Sequence, residues 1–412
     1  MIGYIILSFN KKTMDVRSNE PFWLITNSLP QSYPSLQKSI SSEVLIIGAG
    51  ITGALMAYKL IEAGKKVVMV DRRDICNGST AASTSMLQYE IDVPLHQLIE
   101  QVGLTCAVSS YQNCEKSIKD LKKIVTKIGS DCGFEYKKSV YFASSKKDIS
   151  FLKSEFETRK EHGFKVKWLT KENLEELGLK AYAAIESQSG AEMDVYKLAN
   201  DLLKYCSKKG LEVYDRTDIE EIKTKNDKTV AKTKSGLNIE VDHVVRCTGY
   251  ESIETIKENI VSLKSTFALA SEAFETIPQA FKKHIYWNTD APYLYFRSTE
   301  DGRIVMGGGD RDFKNAARRD ALLPKKEKEL TKKFQKCFPN IPFIADYSWA
   351  GTFGETKDGL PYFGKPDPEK NDHYILGFGG NGITFSVMGM DALINSINKT
   401  PHPYLEYYKF NR

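Results

Sequence analysis

Three short segments of this 412-residue chain carry residue types and spacings that suit the binding of a charged ligand. The first, Gly48-Ala49-Gly50-Ile51-Thr52-Gly53, follows the apolar run Val44-Leu45-Ile46-Ile47 and opens a helical pattern. In such a turn the first glycine permits the tight reversal. The second lets a pyrophosphate approach the backbone, and the third lets helix and strand pack closely. The helix N-terminus then faces the phosphate charge. Asp71 closes the next strand, where a carboxylate accepts from ribose hydroxyls. The second segment, Gly78 to Ser85, sets small hydroxyl residues before Met86-Leu87 and offers N–H and O–H donors to an anion. The third, Leu376-Gly377-Phe378-Gly379-Gly380-Asn381-Gly382-Ile383-Thr384, again precedes a helix. Backbone N–H groups exposed at a helix start stabilise developing negative charge.

The elements that must position these segments can be read in outline. Val44–Ile47, a helix over 51–62, Gly64 and a strand over 66–70 form one βαβ unit, its strands continuously apolar as in a sheet buried on both faces. Helical patterns follow at 117–128 and 148–162, around a short strand at 139–142. Asp194 is a candidate N-cap for a helix to Lys209. Strands follow at 211–214, 220–225 and 229–233, the last two joined by Asn226-Asp227. His243–Arg246 leads into Cys247-Thr248-Gly249. Asp301-Gly302 signals a hairpin between 293–297 and 303–306, and a helix spans 385–397. Residues 1–43, with Pro21, Pro30 and Pro34, read as an arm lying on a domain surface.

The expected architecture is α/β. A doubly wound dinucleotide-binding domain (44–93, 194–250 and 347–412) is interrupted by an antiparallel-sheet substrate domain (94–193 and 251–346). Composition agrees with a globular protein: 41% hydrophobic, 27% charged, and a net charge of +5, too mild at this length to argue for nucleic acid. No C-x-x-C, zinc-finger spacing or H-E-x-x-H occurs, so no metal site is evident. Seven scattered cysteines fit free thiols in a reducing compartment, and a cytoplasmic location is expected. The apolar start Ile2–Leu7 is too short to span a bilayer and lacks the basic residues that open a signal peptide.

Taken in order, these landmarks resemble the FAD-dependent oxidoreductase superfamily of D-amino acid oxidase, glycine oxidase and sarcosine oxidase. They are the glycine fingerprint with Asp71, the Gly78–Thr84 segment, Cys247-Thr248-Gly249, Thr356-Lys357-Asp358-Gly359-Leu360-Pro361 and the Gly379–Ile383 loop. Met14 to Ser18 with Pro21-Phe22-Trp23 resembles the start of bacterial members, so residues 1–13 read as an upstream extension. The resemblance implies oxidation of a C–H bond beside nitrogen in an amine or amino-acid-like compound, with hydride passing to flavin N5. It implies FAD contacts at Gly48, Gly50, Ile51, Thr52, Gly53, Asp71, Arg72, Ser79, Ser83, Thr84, Ile219, Thr248, Gly249, Gly380, Asn381, Gly382 and Ile383. A dehydrogenase passing electrons to a quinone or protein, and a non-catalytic flavin-binding protein, are the alternatives.

The chain departs from its relatives where they hold substrate. Phe353 stands at the place of their carboxylate-binding arginine, Thr384 at that of a catalytic lysine, and Val305 and Gly309 at those of a lysine and a histidine. The flavin-tethering cysteine of sarcosine oxidases falls at about Gly351, so non-covalent FAD is expected. Gln88, Glu90, Tyr295, Arg297, Phe353 and Glu355 are the candidate substrate-pocket residues, Glu355 being suited to a cationic amine. Taken alone, Tyr295 reads as a half-buried sheet residue and Glu90 as a surface charge. The basic stretch Lys325–Lys336 reads as a solvated helix with one buried face. His96 and His162, on predicted helices, read as structural.

Overall fold

The structure, a computed structural model, describes residues 15–18, 20–225, 228–256 and 260–412. The expected extension over 1–13 and the Asn226-Asp227 turn lie outside these residues. The described chain is a mixed α/β fold with three sheets.

The first sheet has six strands, in the spatial order Tyr362–Gly364, Asp372–Leu376, His243–Arg246, Val44–Ile47, Val67–Val70 and Glu212–Tyr214. All neighbours are parallel except the edge strand Tyr362–Gly364. Val44–Ile47 and Val67–Val70 lie inside it, helices covering one face and strands of a small sheet (Ala231, Ile239, Val241) the other, so a fully apolar strand is the stable solution. Helix Ile51–Glu62 packs between helices Val195–Ser207 and Gly382–Asn398. Asp194 caps the former as expected, its carboxylate accepting from Lys197 N at 2.9 Å.

The second sheet has nine strands and is antiparallel apart from the pairing of His284–Asn288 with Glu135–Phe142. One edge runs Ala345–Thr356, Val261–Ser271, Ile304–Asp312 and Leu294–Ser298, the last two being the expected hairpin with Arg297 opposite Val305. Helix Leu323–Cys337 covers this region with Leu330, Phe334 and the following Phe338, the one-sided basic helix the sequence suggests. A small sheet of Ile219–Lys225, Lys228–Thr233, Asn238–Val241 and Ile40–Ser41 completes the fold.

Three placements differ from the sequence reading. Strand Ala345–Thr356 pairs with Val261–Ser271 from Val261↔Thr356 to Ser271↔Ala345, so residues 347–356 belong to the nine-stranded sheet. Met86–Gln88 also joins that sheet, through Glu192, Ala191 and Gly190. The N-terminal arm is woven into the core: Phe22 and Trp23 are buried, and Ser18 N donates to Ala350 O at 2.9 Å. The glycines and prolines of these stretches read locally as loop, whereas long-range pairing decides their place.

Candidate cofactor and active site

A cavity of about 860 Å³ opens where the carboxyl ends of the parallel strands face the nine-stranded sheet. Open parallel sheets bind ligands at this edge. At the glycine turn, Gly48 has φ +104°, and a Cβ on Gly53 would lie 1.9 Å from the Gly48 carbonyl oxygen. Only hydrogen at position 53 lets the helix sit this close. The Asp71 carboxylate accepts from Ala49 N and Arg73 N, both at 2.8 Å, and ties the turn to its strand. Burial pushes the Asp71 carboxyl up to about 6 against the pull of those two N–H groups. Thr80 Oγ1 accepts from Ile51 N at 3.0 Å, so the second segment docks on the first turn of the helix.

That second segment is held from behind by three distant side chains. Trp349 Nε1 donates to Ala82 O at 2.9 Å, Trp23 Nε1 to Ser83 O at 2.7 Å and Arg297 Nε to Thr84 O at 2.6 Å. With these carbonyls satisfied on the far side, Ser79, Ser83 and Thr84 line the cavity. Arg297, expected in the substrate pocket, is instead 2% exposed and outside the cavity lining. Its guanidinium stacks 5.2 Å from the Trp23 ring. Burial lowers its pKa, and Glu192 and Asp194 partly offset this.

The C-terminal loop departs from the simplest expectation. Gly380 N donates to Asp92 at 2.7 Å, and the other Asp92 oxygen accepts from Tyr293 Oη at 2.9 Å. Asn381 points away from the cavity, its amide donating to Gln88 O and Glu90 O at 3.2 and 2.8 Å. Gly382 and Ile383, at the helix start, are the loop residues left facing the cavity with a backbone N–H of the first turn. Thr384 is buried and donates to Asn381 O.

Fifteen expected FAD residues line the cavity: Gly48, Gly50, Ile51, Thr52, Asp71, Arg72, Ser79, Ser83, Thr84, Ile219, Thr248, Gly249, Gly380, Gly382 and Ile383. Gly53 and Asn381 do not, because one packs helix on strand and the other anchors the loop.

Of the substrate candidates, Gln88, Tyr295 and Phe353 line the cavity, together with Tyr250, Thr266, Tyr293 and Asp310. Glu355 stays outside it, exposed and 3.5 Å from Lys264 Nζ. Glu90 is neither pocket residue nor surface charge. It is 3% exposed and paired with Arg159 at 3.2 Å, while Arg159 Nε also binds Glu155 at 2.6 Å. Arg159 lies among the rings of Tyr89, Tyr111 and Tyr141, and two carboxylates are drawn inward to compensate it. Burial opposes charge on Glu155, but Arg159 and His96 outweigh it and hold the carboxyl down to about 2. His96 is thereby structural, as expected.

The sequence reading missed Thr80, Asp92, Tyr250, Thr266, Tyr293 and Asp310. Gly307-Gly308-Gly309, three glycines inside a strand, was the available signal for Asp310, since such a run marks a bulge or a close approach. Nothing local marks Asp92 or Thr266.

The donor Gln88 Nε2 and the acceptor Asp310 Oδ1 are buried cavity atoms without a hydrogen-bond partner among the described residues. Buried polar groups are normally satisfied, so this pair, with a glycine turn a Cβ would block, fits a cavity made to be filled by a polar ligand. Among the described residues, no cluster of His, Cys, Asp and Glu is arranged to hold a metal, and no helix is long and apolar enough to cross a membrane.

The chain matches the family of FAD dependent oxidoreductases designated DAO over residues 43–392 and belongs to it. It is accordingly an FAD-dependent oxidoreductase. Among curated relatives it is 25% identical over 392 residues to the Bacillus subtilis protein YhfW, named as a Rieske 2Fe-2S iron-sulfur protein, covering 93% of this chain and 74% of that one. It is 23% identical over 362 residues to gamma-glutamylputrescine oxidoreductase of Escherichia coli K12, covering 85% and 82%. The fold superposes on the crystal structure of glycine oxidase from Geobacillus kaustophilus with a TM-score of 0.74 and 18% identity, covering 90% of this chain and 99% of that one.

Proposed function

We propose that this oxidoreductase oxidises a C–H bond beside nitrogen in an amine or amino-acid-like substrate, with FAD held non-covalently. Bound FAD supplies the hydride acceptor, and the protein supplies position and electrostatics. In this reading the glycine turn and Asp71 hold the dinucleotide, Ser79, Ser83 and Thr84 its middle, and the Gly382–Ile383 helix start its electron-rich edge. Gln88, Tyr295 and Phe353 border the substrate. The units 44–93, 194–250 and 347–412 serve the cofactor, and 94–193 and 251–346 the substrate, apart from the strands noted above.

The observation that carries the substrate class is the distribution of charge around the cavity. Its cationic residues, Arg72, Arg73, Lys234 and Arg246, all come from segments beside the parallel sheet. Arg246 is engaged by Asp372, Lys234 by Asp218, and Arg72 and Arg73 by Glu251. The strands of the nine-stranded sheet contribute aromatic rings, two threonines, Gln88 and Asp310, but no cation to the lining. A carboxylate could not be anchored there without a large desolvation cost. Non-covalent FAD is supported by Gly351 at the tethering position and by burial that pushes the cavity thiols of Cys76 and Cys247 up, keeping them protonated. Seven unpaired cysteines support a reducing, cytoplasmic location.

Anaerobic titration with a panel of amines and amino acids tests the reading. Bleaching of the oxidised-flavin band by an amine is expected; bleaching by no member of the panel would refute the reading, and bleaching only by carboxylate-bearing α-amino acids would refute its amine arm. Acid precipitation is expected to release the flavin into the supernatant, and colour retained in the pellet would refute non-covalent binding. The likeness to a relative named as an iron-sulfur protein favours a second reading, in which electrons leave to a protein or quinone. Fast reoxidation by oxygen would exclude it.

A further inference from the structure

The aromatic end of the cavity holds a carboxylate oxygen that no described residue satisfies. Asp310 Oδ1 is buried and accepts no hydrogen bond. Its placement follows from the strand that carries it. Pairing between Val261–Ser271 and Ile304–Asp312 shifts register between Ser265 and Phe267, so Thr266 faces the surplus residues Gly309 and Asp310. A bulge of this kind re-aims a side chain. Gly309 takes φ +70° within it. Gly307 lies beneath Tyr295, where any Cβ would come within 2.2 Å of the ring. The glycine run thus brings an acid and an aromatic ring to one wall.

The cations on neighbouring elements are already engaged. Lys264, on the adjacent strand, binds Asp312 at 2.8 Å and Glu355 at 3.5 Å. Lys326, from helix Leu323–Cys337, binds Glu329 at 3.0 Å and lies 5.6 Å from the Phe267 ring. Burial pushes the Asp310 carboxyl up to about 6; Glu355 and Asp92 push the same way, and Thr266 and Lys326 oppose them. The Tyr293 and Tyr295 hydroxyls also face it, their pKa values raised chiefly by burial. At neutral pH the result is a largely ionised carboxylate that forms no ion pair among the described residues, beside aromatic faces that themselves attract cations.

We propose that Asp310, bordered by Tyr293, Tyr295 and Phe353, seats a cationic nitrogen of the substrate, so that the pocket takes alkylammonium compounds and rejects ligands anchored by a carboxylate. The inference rests on the proposed function only in placing the substrate at this end of the cavity.

The test uses FAD-loaded protein and the perturbation of its oxidised-flavin spectrum. The probes are tert-butylammonium, which has no C–H bond beside nitrogen and cannot be oxidised there, and pivalate, its carboxylate counterpart of the same shape. Saturable binding of tert-butylammonium at pH 8 and none of pivalate are expected. Asp310→Asn should raise the tert-butylammonium Kd at least about tenfold. Binding to the wild type should weaken as pH falls through about 6, where the carboxylate takes its proton, and the variant should lack that step. Phe353→Arg, on a different strand, should abolish tert-butylammonium binding and admit pivalate; it decides the matter if the first variant fails to fold. No perturbation of the wild type by tert-butylammonium, a wild-type Kd in Asp310→Asn, or an unchanged probe preference in Phe353→Arg overturns the proposal. Cation binding without flavin reduction by any amine refutes the proposed function alone. Reduction by amines with an unaltered KM in Asp310→Asn refutes this inference alone.

Discussion

At the dinucleotide end of the cavity the decisive contacts are backbone groups within two short segments. At the aromatic end they are side chains from segments far apart in the chain. The first end needs a tight turn, a helix start and one carboxylate, Asp71, bonded to Ala49 and Arg73 of its own βαβ unit. The second needs Gln88, Tyr250, Thr266, Tyr293, Asp310 and Phe353 to meet on one wall, which follows only once the strands have paired. A cofactor shared across a family can be served by an invariable backbone device. Selection among substrates is left to side chains, which change singly without disturbing the turn.

The two ends should therefore respond differently to mutation. Gly50→Val is expected to have the largest effect, loss of FAD from the purified protein. The new side chain would meet Thr80 Oγ1, 2.8 Å from a Cβ at that position, and enter the cavity. A holo-like flavin spectrum in this variant would break the comparison at its stronger end. Arg159→Met removes the cation that holds Glu90 and Glu155 on the substrate side. Breaking a buried pair in this way costs about 3–5 kcal/mol, measurable as a lowered urea midpoint.

Acid separates the two ends by sign. His373, in the parallel sheet, is held down to about 3 by burial, with His243 and Lys365 adding to it. Below its ordinary value near 6.5 the unfolded chain takes a proton that the folded chain refuses, so stability is lost as pH falls from there toward 3. His373→Gln should remove about 2 kcal/mol of the loss between neutrality and pH 5, read from denaturant curves at each pH. Asp310 has the opposite sign: its raised carboxyl is costly when charged, and acid relieves that cost while weakening cation binding.

The smallest expected effect sharpens the boundary between the ends. Arg297→Met should weaken FAD retention about tenfold, equivalent to about 1.4 kcal/mol for one lost charged hydrogen bond. The KM of whichever amine reduces the flavin should stay nearly unchanged, because Arg297 supports the Thr84 carbonyl from behind. A large rise in KM with FAD content intact would return Arg297 to the substrate pocket.

Most of the dinucleotide end was legible in the sequence. Fifteen of the expected residues line the cavity, and Gly48, Gly50, Ile51, Thr52, Asp71 and Arg72 do so because a βαβ unit fixes its own geometry within about 30 residues. The substrate end was half legible. Gln88, Tyr295 and Phe353, expected from the sequence, line the cavity. Glu90 and Arg297 were misplaced because a charged residue in sequence carries no record of its partner. Arg159 and the Thr84 carbonyl, which explain them, lie far along the chain.

The sequence by itself determined the glycine turn, the parallel strands that flank it, the capped helix at Asp194 and the family. Each rests on local sterics, on apolar periodicity, or on hydrogen bonds between residues close in the chain. Tertiary structure alone decided that Trp23, Arg297 and Trp349 converge on three successive carbonyls, that Asp92 takes the Gly380 N–H, and that Asp310 lines the cavity with one oxygen unbonded among the described residues. These contacts join segments whose separation is set by strand pairing and core burial, and a side chain's charge acquires its meaning only from what that packing brings beside it.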